Sequence, residues 1–298
     1  MAGLCEGRVV VVTGGGRGLG REHCLLFAKE GAKVVVNDLG GSVSGEGAEL
    51  SPAQQVVKEI TAAGGQAVAN GDDISDFNGA GRMIQQAIDT FGGLDVLVNN
   101  AGILRDKMMV NMTMAEWDAV IKVHLTGTFC PMHHAANYWR QNAKNGGTND
   151  GRIINTTSIS GLFGNPGQLN YAAAKAGIAA MTIVASRELS RLNVTCNAIS
   201  PGAFTRMTEN LMPKRDLKPG EFDRQNPANV SPMVVWLGSA ESKDVTGRVF
   251  ETMNGGFGTY NGWERAAREK FDRRLDPKEM GPIVTRMLEQ THPLQKIG

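Results

Sequence analysis

The sequence predicts an α/β fold, with one domain built on a doubly wound parallel sheet of seven strands and with a helical C-terminal tail. Short runs rich in valine and isoleucine alternate with longer helical runs along the 298 residues, without a linker before about residue 256. A glycine-rich turn follows the first apolar run. Short polar side chains follow two later runs, at Asn99-Asn100 and at Ser158, as expected where parallel strands face a ligand. We therefore expect residues 1–256 to form one domain and residues 257–298 to extend it.

The expected strands are short and apolar, which is typical of a sheet that is buried on both faces. They cover residues 8–13, 33–37, 66–70, 94–99, 152–157, 194–199 and 248–252. Amphipathic patterning favours helices between them, supported by Ser51-Pro52 at one start and by the capping box Thr113-x-x-Glu116 at another. The expected helices cover residues 21–29, 51–63, 76–91, 113–142, 168–192 and 227–238, with 263–271 and 277–290 in the tail.

The first strand leads into the turn Thr-Gly-Gly-Gly-Arg-Gly-Leu-Gly at residues 13–20, and a helical run follows it. Glycines let the backbone approach a pyrophosphate closely, and the N-terminus of the helix offers it unpaired N–H groups and a positive dipole. A strand, a glycine turn and a helix in this order are typical of a Rossmann-type dinucleotide-binding domain. The residues of this turn that we expect to bind the cofactor are Gly14, Arg17, Gly18, Leu19 and Gly20.

The second strand ends at Asp38, eighteen residues beyond Gly20. A carboxylate at this place accepts hydrogen bonds from the ribose hydroxyls of NAD and repels the 2′-phosphate of NADP. Arg17 favours the opposite choice, because its charge would neutralise that phosphate. We expect NAD, since Asp38 stands where the ribose is bound, and NADP remains the alternative.

Composition and charge exclude several classes of protein. The net charge of +1 gives no reason to expect nucleic acid or an acidic membrane surface as a partner, and 41% apolar residues suffice for a large core. No run approaches about 18 apolar residues, and the first residues do not resemble a signal sequence, so we expect a cytoplasmic protein. The four cysteines and five histidines show neither disulfide nor metal-ligand spacing, so no metal is expected.

Tyr171, Lys175 and Ser158 have a spacing that suits hydride-transfer chemistry. On a helix, Tyr171 and Lys175 lie one turn apart on the same face, so the ammonium favours loss of the phenol proton and lowers its pKa from about 10. Ser158, at the end of a neighbouring strand, can hydrogen-bond a substrate oxygen on which charge develops. The alternative is an ordinary surface tyrosine and lysine on one helix face.

Together these motifs resemble the short-chain dehydrogenase/reductase family from residue 7 to about residue 256. The resemblance rests on Thr13-Gly14-x-x-x-Gly18-x-Gly20, Asn99-Asn100-Ala101-Gly102, Ser158, Tyr171-x-x-x-Lys175 and Pro201-Gly202. It implies that Tyr171 is the general acid or base, that Lys175 binds the nicotinamide ribose, and that Ser158 positions the substrate oxygen. It also implies a homodimer or homotetramer. The further cofactor contacts that it implies are Asp73 with Ile74 at the adenine, Asn100 at the ribose, and Ala101, Gly102, Pro201, Gly202 and Thr205.

One position departs from the pattern of the family. Most members read Val-Asn-Leu-Thr-Gly, with an asparagine that helps to hold a water relay to the lysine, whereas this chain has Val-His-Leu-Thr-Gly at residues 123–127. Either His124 serves the relay through a ring nitrogen, or it is a packed substitute while another group holds the water. His124 is therefore a candidate catalytic residue.

A narrower resemblance is to the (3R)-hydroxyacyl-CoA dehydrogenase units of peroxisomal multifunctional enzymes of type 2, which have histidine at the position of His124. It rests on residues 36–41 (Val-Asn-Asp-Leu-Gly-Gly), 99–106 (Asn-Asn-Ala-Gly-Ile-Leu-Arg-Asp), 164–171 (Gly-Asn-x-Gly-Gln-x-Asn-Tyr) and 206–209 (Arg-Met-Thr-Glu). It implies NAD-dependent oxidation of a (3R)-hydroxyacyl-CoA to the 3-ketoacyl-CoA, with steroid 17β-hydroxyl groups as side substrates. The chain ends in Gln-Lys-Ile-Gly instead of Ser-Lys-Leu, which favours a free-standing cytoplasmic enzyme.

Two other functions remain open. A reductase of 3-oxoacyl thioesters or ketosteroids would run the same chemistry backwards with NADPH, and Arg17 favours it. A dinucleotide-sensing protein without catalysis would need none of Ser158, Tyr171 and Lys175, so the presence of all three disfavours it.

Residues 203–224 lack a clear period and predict a lid over the cleft. Several methionines are candidates for an apolar acyl or sterol pocket, with ordinary packing as the alternative. Basic residues of the lid are candidates for contacts with CoA phosphates, with a solvated loop as the alternative. The methionines are Met108, Met109, Met112, Met207 and Met212, and the basic residues are Lys214, Arg215 and Lys218.

The tail either covers the active site of a neighbouring subunit or packs on its own chain.

Overall fold

The computed structural model describes residues 2–42, 44, 46, 51–209, 216–218, 220–293 and 295. The strands are β1 (Val9–Thr13), β2 (Lys33–Asn37), β3 (Gln66–Asn70), β4 (Val96–Asn99), β5 (Gly151–Thr156), β6 (Val194–Gly202), β7 (Val249–Met253) and β8 (Gly256–Tyr260). They form a sheet in the order β3-β2-β1-β4-β5-β6-β7-β8, in which β1 to β7 are parallel. The order reverses between β1 and β4, which is where open α/β sheets bind ligands. The doubly wound α/β fold is confirmed.

Helices cover both faces of this sheet. They are α1 (Gly18–Lys29), α2 (Ser51–Ala62), α3 (Phe77–Phe91), α4 (Met114–Ile121), α5 (Gly127–Lys144), α6 (Ile159–Phe163), α7 (Leu169–Glu188), α8 (Ser231–Leu237) and α9 (Met280–Leu288). In β1, Val10 and Val12 belong to the core under α1, α2 and α8, while Val9 and Val11 belong to the core under α3 and α5. Each buried valine stabilises the fold by about 1.5–3 kcal/mol relative to an exposed one. Within the described residues, no helix combines the length and the apolar character needed to span a membrane.

The sheet has one strand more than the seven that the sequence predicts. Strand β8 runs antiparallel to β7, and the two-residue turn between them is Asn254-Gly255, with φ of +53° and +73°. Asn-Gly is the pair that best tolerates positive φ at both positions of such a turn. The hairpin therefore had a local signal that the sequence-based prediction overlooked, and it lies where the helical extension was expected to begin.

The two helices expected in the tail have opposite outcomes. The prediction of a helix at residues 263–271 is wrong: these residues form none, and nearly all are exposed, with Trp263 at 96%. So short a segment without a packing partner does not offset the free-energy cost of starting a helix. The helix predicted at 277–290 is confirmed as a 3-10 turn over Pro277–Glu279 followed by α9, and a capping box from Asp276 to Glu279 starts it.

The long helix expected after Thr113 is continuous, but it is not α-helical throughout. Thr113 and Glu116 form the predicted capping box, each side chain accepting a hydrogen bond from the other residue's N–H. Between α4 and α5, residues Lys122–Thr126 form a π turn. Such turns are rare and occur mostly at functional sites. This one carries His124.

Buried hydrogen bonds dock α7 on the middle of the sheet. Asn155 of β5 donates through Nδ2 to Thr182 Oγ1 at 2.9 Å, and its Oδ1 accepts from Asn99 Nδ2 of β4 at 2.9 Å. Thr157, just after β5, donates through Oγ1 to the carbonyl oxygen of Lys175 at 2.7 Å. The helix that carries Tyr171 and Lys175 is therefore tied to the strand that leads to Ser158.

Asn155→Ala is expected to lower the free energy of unfolding by about 1–3 kcal/mol, because it leaves the buried polar groups of Asn99 and Thr182 without their partner. Chemical denaturation measures the change. The matched control is Asn78→Ala on the exposed side of α3, which is expected to change stability by less than about 0.5 kcal/mol. An equal effect of both substitutions would contradict the role given to Asn155.

Candidate active site

A cavity of about 570 Å³ opens at the carboxyl ends of the central strands. Most of the predicted cofactor-binding residues line it, namely Gly14, Arg17, Gly18, Leu19, Asp38, Asp73, Ile74, Asn100, Ala101, Gly102, Pro201 and Thr205. Three of the predicted catalytic residues, His124, Tyr171 and Lys175, line the same cavity. One space thus joins the two groups of candidates, which are far apart in the sequence.

Three predicted residues do not line the cavity. A Cβ on Gly202 would lie 2.7 Å from Cβ of Met253, so this glycine serves the packing of β6 on β7. Gly20 lies beneath the glycine turn, and Ser158 lies close enough to Tyr171 to lower the pKa of its phenol. The two glycines act on the site through their neighbours.

Close backbone contacts shape the glycine turn. Gly14 and Gly18 have φ of +62° and +50°, a left-handed conformation that glycine adopts without strain. A Cβ on Gly20 would lie 2.0 Å from the carbonyl oxygen of Gly14, so only glycine lets α1 begin this close to the turn. The N-terminus of α1 lies at the cavity as a result, which is the arrangement that binds a pyrophosphate.

Asp38 is held rigidly just after β2. Its Oδ2 accepts from the N–H of Gly16 at 2.9 Å, and its Oδ1 accepts from the N–H of Gly40 at 2.7 Å. Each carboxylate oxygen can accept more than one hydrogen bond, so both remain able to accept from ribose hydroxyls. Arg17 donates through Nη1 to the carbonyl oxygen of Gly41 at 3.3 Å. The two residues that disagree about the cofactor therefore lie at the same end of the cavity.

Asn100 holds the glycine turn itself. Its Nδ2 donates to the carbonyl oxygens of Thr13 at 3.0 Å and Gly14 at 3.2 Å. In return, Thr13 Oγ1 accepts from the N–H groups of Asn100 at 3.0 Å and Ala101 at 3.2 Å. These bonds tie the ends of β1 and β4 together. They engage the amide nitrogen of Asn100, so its amide oxygen is the side-chain atom left for a ribose.

Asp73 is partly engaged as well. Its Oδ1 accepts from the N–H of Ser75 at 2.8 Å and from the Ser75 hydroxyl at 2.6 Å. Its Oδ2 lies 3.9 Å from Nζ of Lys122. That second oxygen remains available to an adenine amino group, and Ile74 lines the cavity beside it.

Lys175 lies one turn after Tyr171 on α7, with Nζ 5.5 Å from the centre of the tyrosine ring. The lysine is buried, and Nζ donates to the carbonyl oxygen of Thr156 at 2.6 Å. Burial lowers the pKa of Lys175 to about 7, because the ammonium loses its hydration. Near neutral pH this lysine can therefore both hold and release a proton.

The pKa of Tyr171 moves in the opposite direction to the sequence-based expectation. Burial raises it to about 12, the hydrogen bond with Ser158 lowers it, and the carboxylate of Asp106 raises it. Loss of hydration thus disfavours the phenolate more than the lysine 5.5 Å away favours it. Within the chain itself, Tyr171 is a neutral phenol at physiological pH.

Ser158 follows β5 and caps α6. Its Oγ accepts from the N–H of Ser160 at 3.1 Å, and interaction with its hydroxyl lowers the pKa of the Tyr171 phenol. Because its oxygen accepts from Ser160, its proton is free to be donated. The serine, the tyrosine and the lysine are therefore brought together.

His124 lies against Tyr171, with the two ring centres 5.1 Å apart and the rings edge to face. Its Nε2 is 2.8 Å from the carbonyl oxygen of Ile103 and 3.1 Å from the N–H of that residue, while Nδ1 is buried without a partner in the described part of the chain. Burial, aided by the charge of Lys175, lowers the pKa of His124 to about 3. The imidazole is therefore neutral at physiological pH, with one ring nitrogen open to a water.

Sequence reasoning missed residues that act through backbone atoms. Ile103 holds the His124 ring and Thr156 holds the Lys175 ammonium, both by carbonyl oxygens, and no side-chain pattern could have found them. Gly102 has a role beyond the cofactor, because a Cβ there would lie 2.3 Å from Cε1 of His124. Among the described residues, no three histidine, cysteine or carboxylate side chains are grouped as metal ligands.

The chain is similar to known proteins over most of its length. The sequence pattern described as short chain dehydrogenase matches residues 8–216. Hydroxyacyl-CoA dehydrogenase ChsB1 of Mycobacterium tuberculosis is 46% identical over 252 residues, which are 82% of this chain and 77% of that protein. Peroxisomal hydratase-dehydrogenase-epimerase of Saccharomyces cerevisiae is 44% identical over 275 residues, which are 92% of this chain and 29% of that protein.

A solved structure covers nearly the whole chain. The crystal structure of a short chain dehydrogenase from Mycobacterium avium has 51% sequence identity and a TM-score of 0.89, and the match covers 99% of both chains. By contrast, this chain spans 28% to 52% of the length of five relatives named as peroxisomal enzymes.

Gly102→Ala is expected to displace the His124 ring, to destabilise the protein by about 1–3 kcal/mol and to weaken NADH binding. Chemical denaturation and NADH fluorescence titration measure the two effects. Gly281→Ala in α9 is the matched control, because a Cβ there meets nothing within 4 Å.

Adding His124→Ala to Gly102→Ala removes the clash, so the double variant should recover most of the stability that Gly102→Ala loses, relative to His124→Ala alone. Fully additive effects of the two substitutions would contradict the explanation by this contact.

Proposed function

Because this chain belongs to the short-chain dehydrogenase family, we propose that it uses NAD to oxidise a (3R)-hydroxyacyl-CoA to the 3-ketoacyl-CoA. The observation that carries the proposal is that Tyr171 and Lys175, with Ser158 close enough to lower the pKa of the tyrosine, share one cavity with Asp38 and the glycine turn. A relative named as a hydroxyacyl-CoA dehydrogenase supports this substrate class. Steroids with a 17β-hydroxyl group are proposed as side substrates.

The proposed reaction requires a base for the proton of the substrate hydroxyl, and Tyr171 takes that role. Ser158 donates its proton to the same oxygen and so holds it beside the phenol. A charged Lys175 favours the phenolate and so opposes part of the effect of burial on the tyrosine. When bound, NAD supplies the acceptor for the hydride that leaves the carbinol carbon as the carbonyl forms.

The proton taken by Tyr171 must then leave the cavity. Lys175 can pass it on, because its pKa of about 7 lets the amine accept and release a proton near neutral pH. We assign His124 to the same route, holding a water through its buried and unpartnered Nδ1. The neutral ring takes part through hydrogen bonds and not through charge.

NAD is preferred to NADP in this proposal. The carboxylate of Asp38 is fixed by two backbone N–H groups and cannot swing away from a 2′-phosphate. Arg17 lines the cavity at the same end, and this observation favours the second candidate function, reduction of 3-oxoacyl thioesters or ketosteroids with NADPH. The preference rests on the difference in placement: Asp38 is held by two short bonds, whereas Arg17 makes one bond of 3.3 Å.

Exposed apolar side chains near the Tyr171 helix suit a substrate with a long apolar part. Met207 lines the cavity, and an apolar patch lies on the segment before α4 and at the starts of α4 and α7. The backbone bridge between Lys107 and Gln168 links the segment before α4 to the start of α7. The apolar patch consists of Met108, Met109, Val110, Met114 and Leu169, which are 44% to 83% exposed.

Other expectations stay predictions. Met212, Lys214 and Arg215 lie outside the described residues, and so does much of the predicted lid, whereas Lys218 is described and exposed. A homodimer or homotetramer and a cytoplasmic location are proposed on the family resemblance and on composition. Five relatives are named as peroxisomal, which leaves the peroxisome as the competing location.

The test is a panel of (3R)-hydroxyacyl-CoA thioesters and 17β-hydroxysteroids, assayed with NAD for initial rates. The thioesters are expected to give the highest kcat/KM, with rates that rise with pH as the phenolate becomes more populated.

Tyr171→Phe is expected to lower kcat by about 10²–10⁴-fold while NADH affinity changes little. A Tyr171→Phe variant that keeps half of the activity would contradict the assignment of Tyr171 as the base. Binding of NADH without turnover of any alcohol would favour the non-catalytic alternative.

Asp38→Asn is expected to lower the ratio of kcat/KM with NAD to that with NADP by about 10–100-fold, because it removes a charge that repels the 2′-phosphate. Arg17→Ala, the matched change of opposite sign at the same end of the cavity, is expected to raise that ratio. The measurement is initial rates with each cofactor at one substrate concentration. A ratio that does not respond to Asp38→Asn would contradict the preference for NAD.

A further inference from the structure

Two residues of the motifs quoted above take no part in the proposed reaction. Asp106 ends the segment that follows β4, and Gln168 precedes α7. Gln168 is 4% exposed, and its Nε2 donates to Asp106 Oδ2 at 2.7 Å. A buried amide that donates to a carboxylate makes a strong, charge-assisted hydrogen bond. The contact is therefore expected to constrain both segments.

The carboxylate determines which way the Gln168 amide points. An ionised carboxylate can only accept hydrogen bonds, so the amide nitrogen faces Asp106 and the amide oxygen faces away from it. That oxygen accepts from the hydroxyl of Ser160 at 2.8 Å and from Nδ2 of Asn165 at 3.0 Å. One amide thus joins the segment after β4, the first turn of α6 and the loop before α7.

Ser160 extends this chain of bonds to Ser158. Ser160 is buried in the first turn of α6, and its N–H donates to Ser158 Oγ at 3.1 Å. Because Ser158 accepts there, its own proton is left for another acceptor, and the serine hydroxyl lowers the pKa of the Tyr171 phenol. The bonds therefore run without interruption from Asp106 through Gln168 and Ser160 to Ser158.

We propose that Asp106 and Gln168 are positioning residues: they hold Ser160 so that Ser158 donates its proton to the reacting oxygen. Neither residue lines the cavity, so both act through their neighbours. The consequence for turnover rests on the proposed function, whereas the hydrogen bonds exist without it.

Amide hydrogen exchange tests the positioning without any substrate. Gln168→Ala is expected to raise the exchange rates of the amides of residues 160–164 by about tenfold, because α6 loses its anchor. Gln290→Ala, in the exposed tail, is the matched control and should leave these rates unchanged.

A charge exchange supplies a second variant. Gln168→Glu sets two carboxylates against each other and should also raise the exchange rates. Adding Asp106→Asn gives the carboxylate introduced at 168 an amide donor, so the double variant should return to near the wild-type rates. Unchanged exchange in Gln168→Ala, or no recovery in the double variant, would overturn the positioning role.

Kinetics test the effect on the reaction. Gln168→Ala is expected to lower kcat by about tenfold in the wild-type background and to have no further effect in a Ser158→Ala background.

The outcomes separate the two proposals. A tenfold loss that persists without Ser158 overturns the route through this serine. A wild-type protein inactive on every alcohol would instead refute the proposed function, and the exchange rates would still decide whether Asp106 and Gln168 hold α6.

Discussion

Three buried hydrogen bonds hold helix α7 against strand β5, and the geometry of the proposed catalytic residues depends on them. Two involve the same lysine: Lys175 donates from Nζ to the carbonyl oxygen of Thr156 and accepts at its own carbonyl from Thr157. The third joins Asn155 to Thr182, two turns further along the helix. A side chain proposed to be catalytic thus also anchors the helix that carries it and Tyr171.

The parts of the site that the sequence predicts are local in the chain. The glycine turn, the acid after β2 and the Tyr171–Lys175 pair each lie within one strand, one turn or one helix, and periodicity and residue type suffice to place them. The β7–β8 hairpin also had a local signal, Asn254-Gly255, and was overlooked in favour of a longer helical tail. The helix predicted at residues 263–271 failed because helical propensity without a packing partner is too weak.

What the sequence could not predict depends on contacts between distant segments. The engagement of Asn100 with the glycine turn and of Lys175 with Thr156 requires the sheet to be assembled first. The pKa directions depend on the same assembly: burial raises the pKa of Tyr171 and lowers that of Lys175, whereas charge spacing alone predicts a lower pKa for the tyrosine. Desolvation therefore outweighs the pairing of charges in this interior.

The π turn at Lys122–Thr126 gives the helix that contains it an unusual tolerance of changes in length. Such a turn holds about one residue more than an α-helical turn. A chain shortened by one residue here could continue as an α-helix, with Trp139 and the rest of α5 still packed on the sheet. The side chain facing Tyr171 would then be a different one. Deletion at this single place thus offers a way to exchange the group beside Tyr171 while the hydrophobic core is preserved.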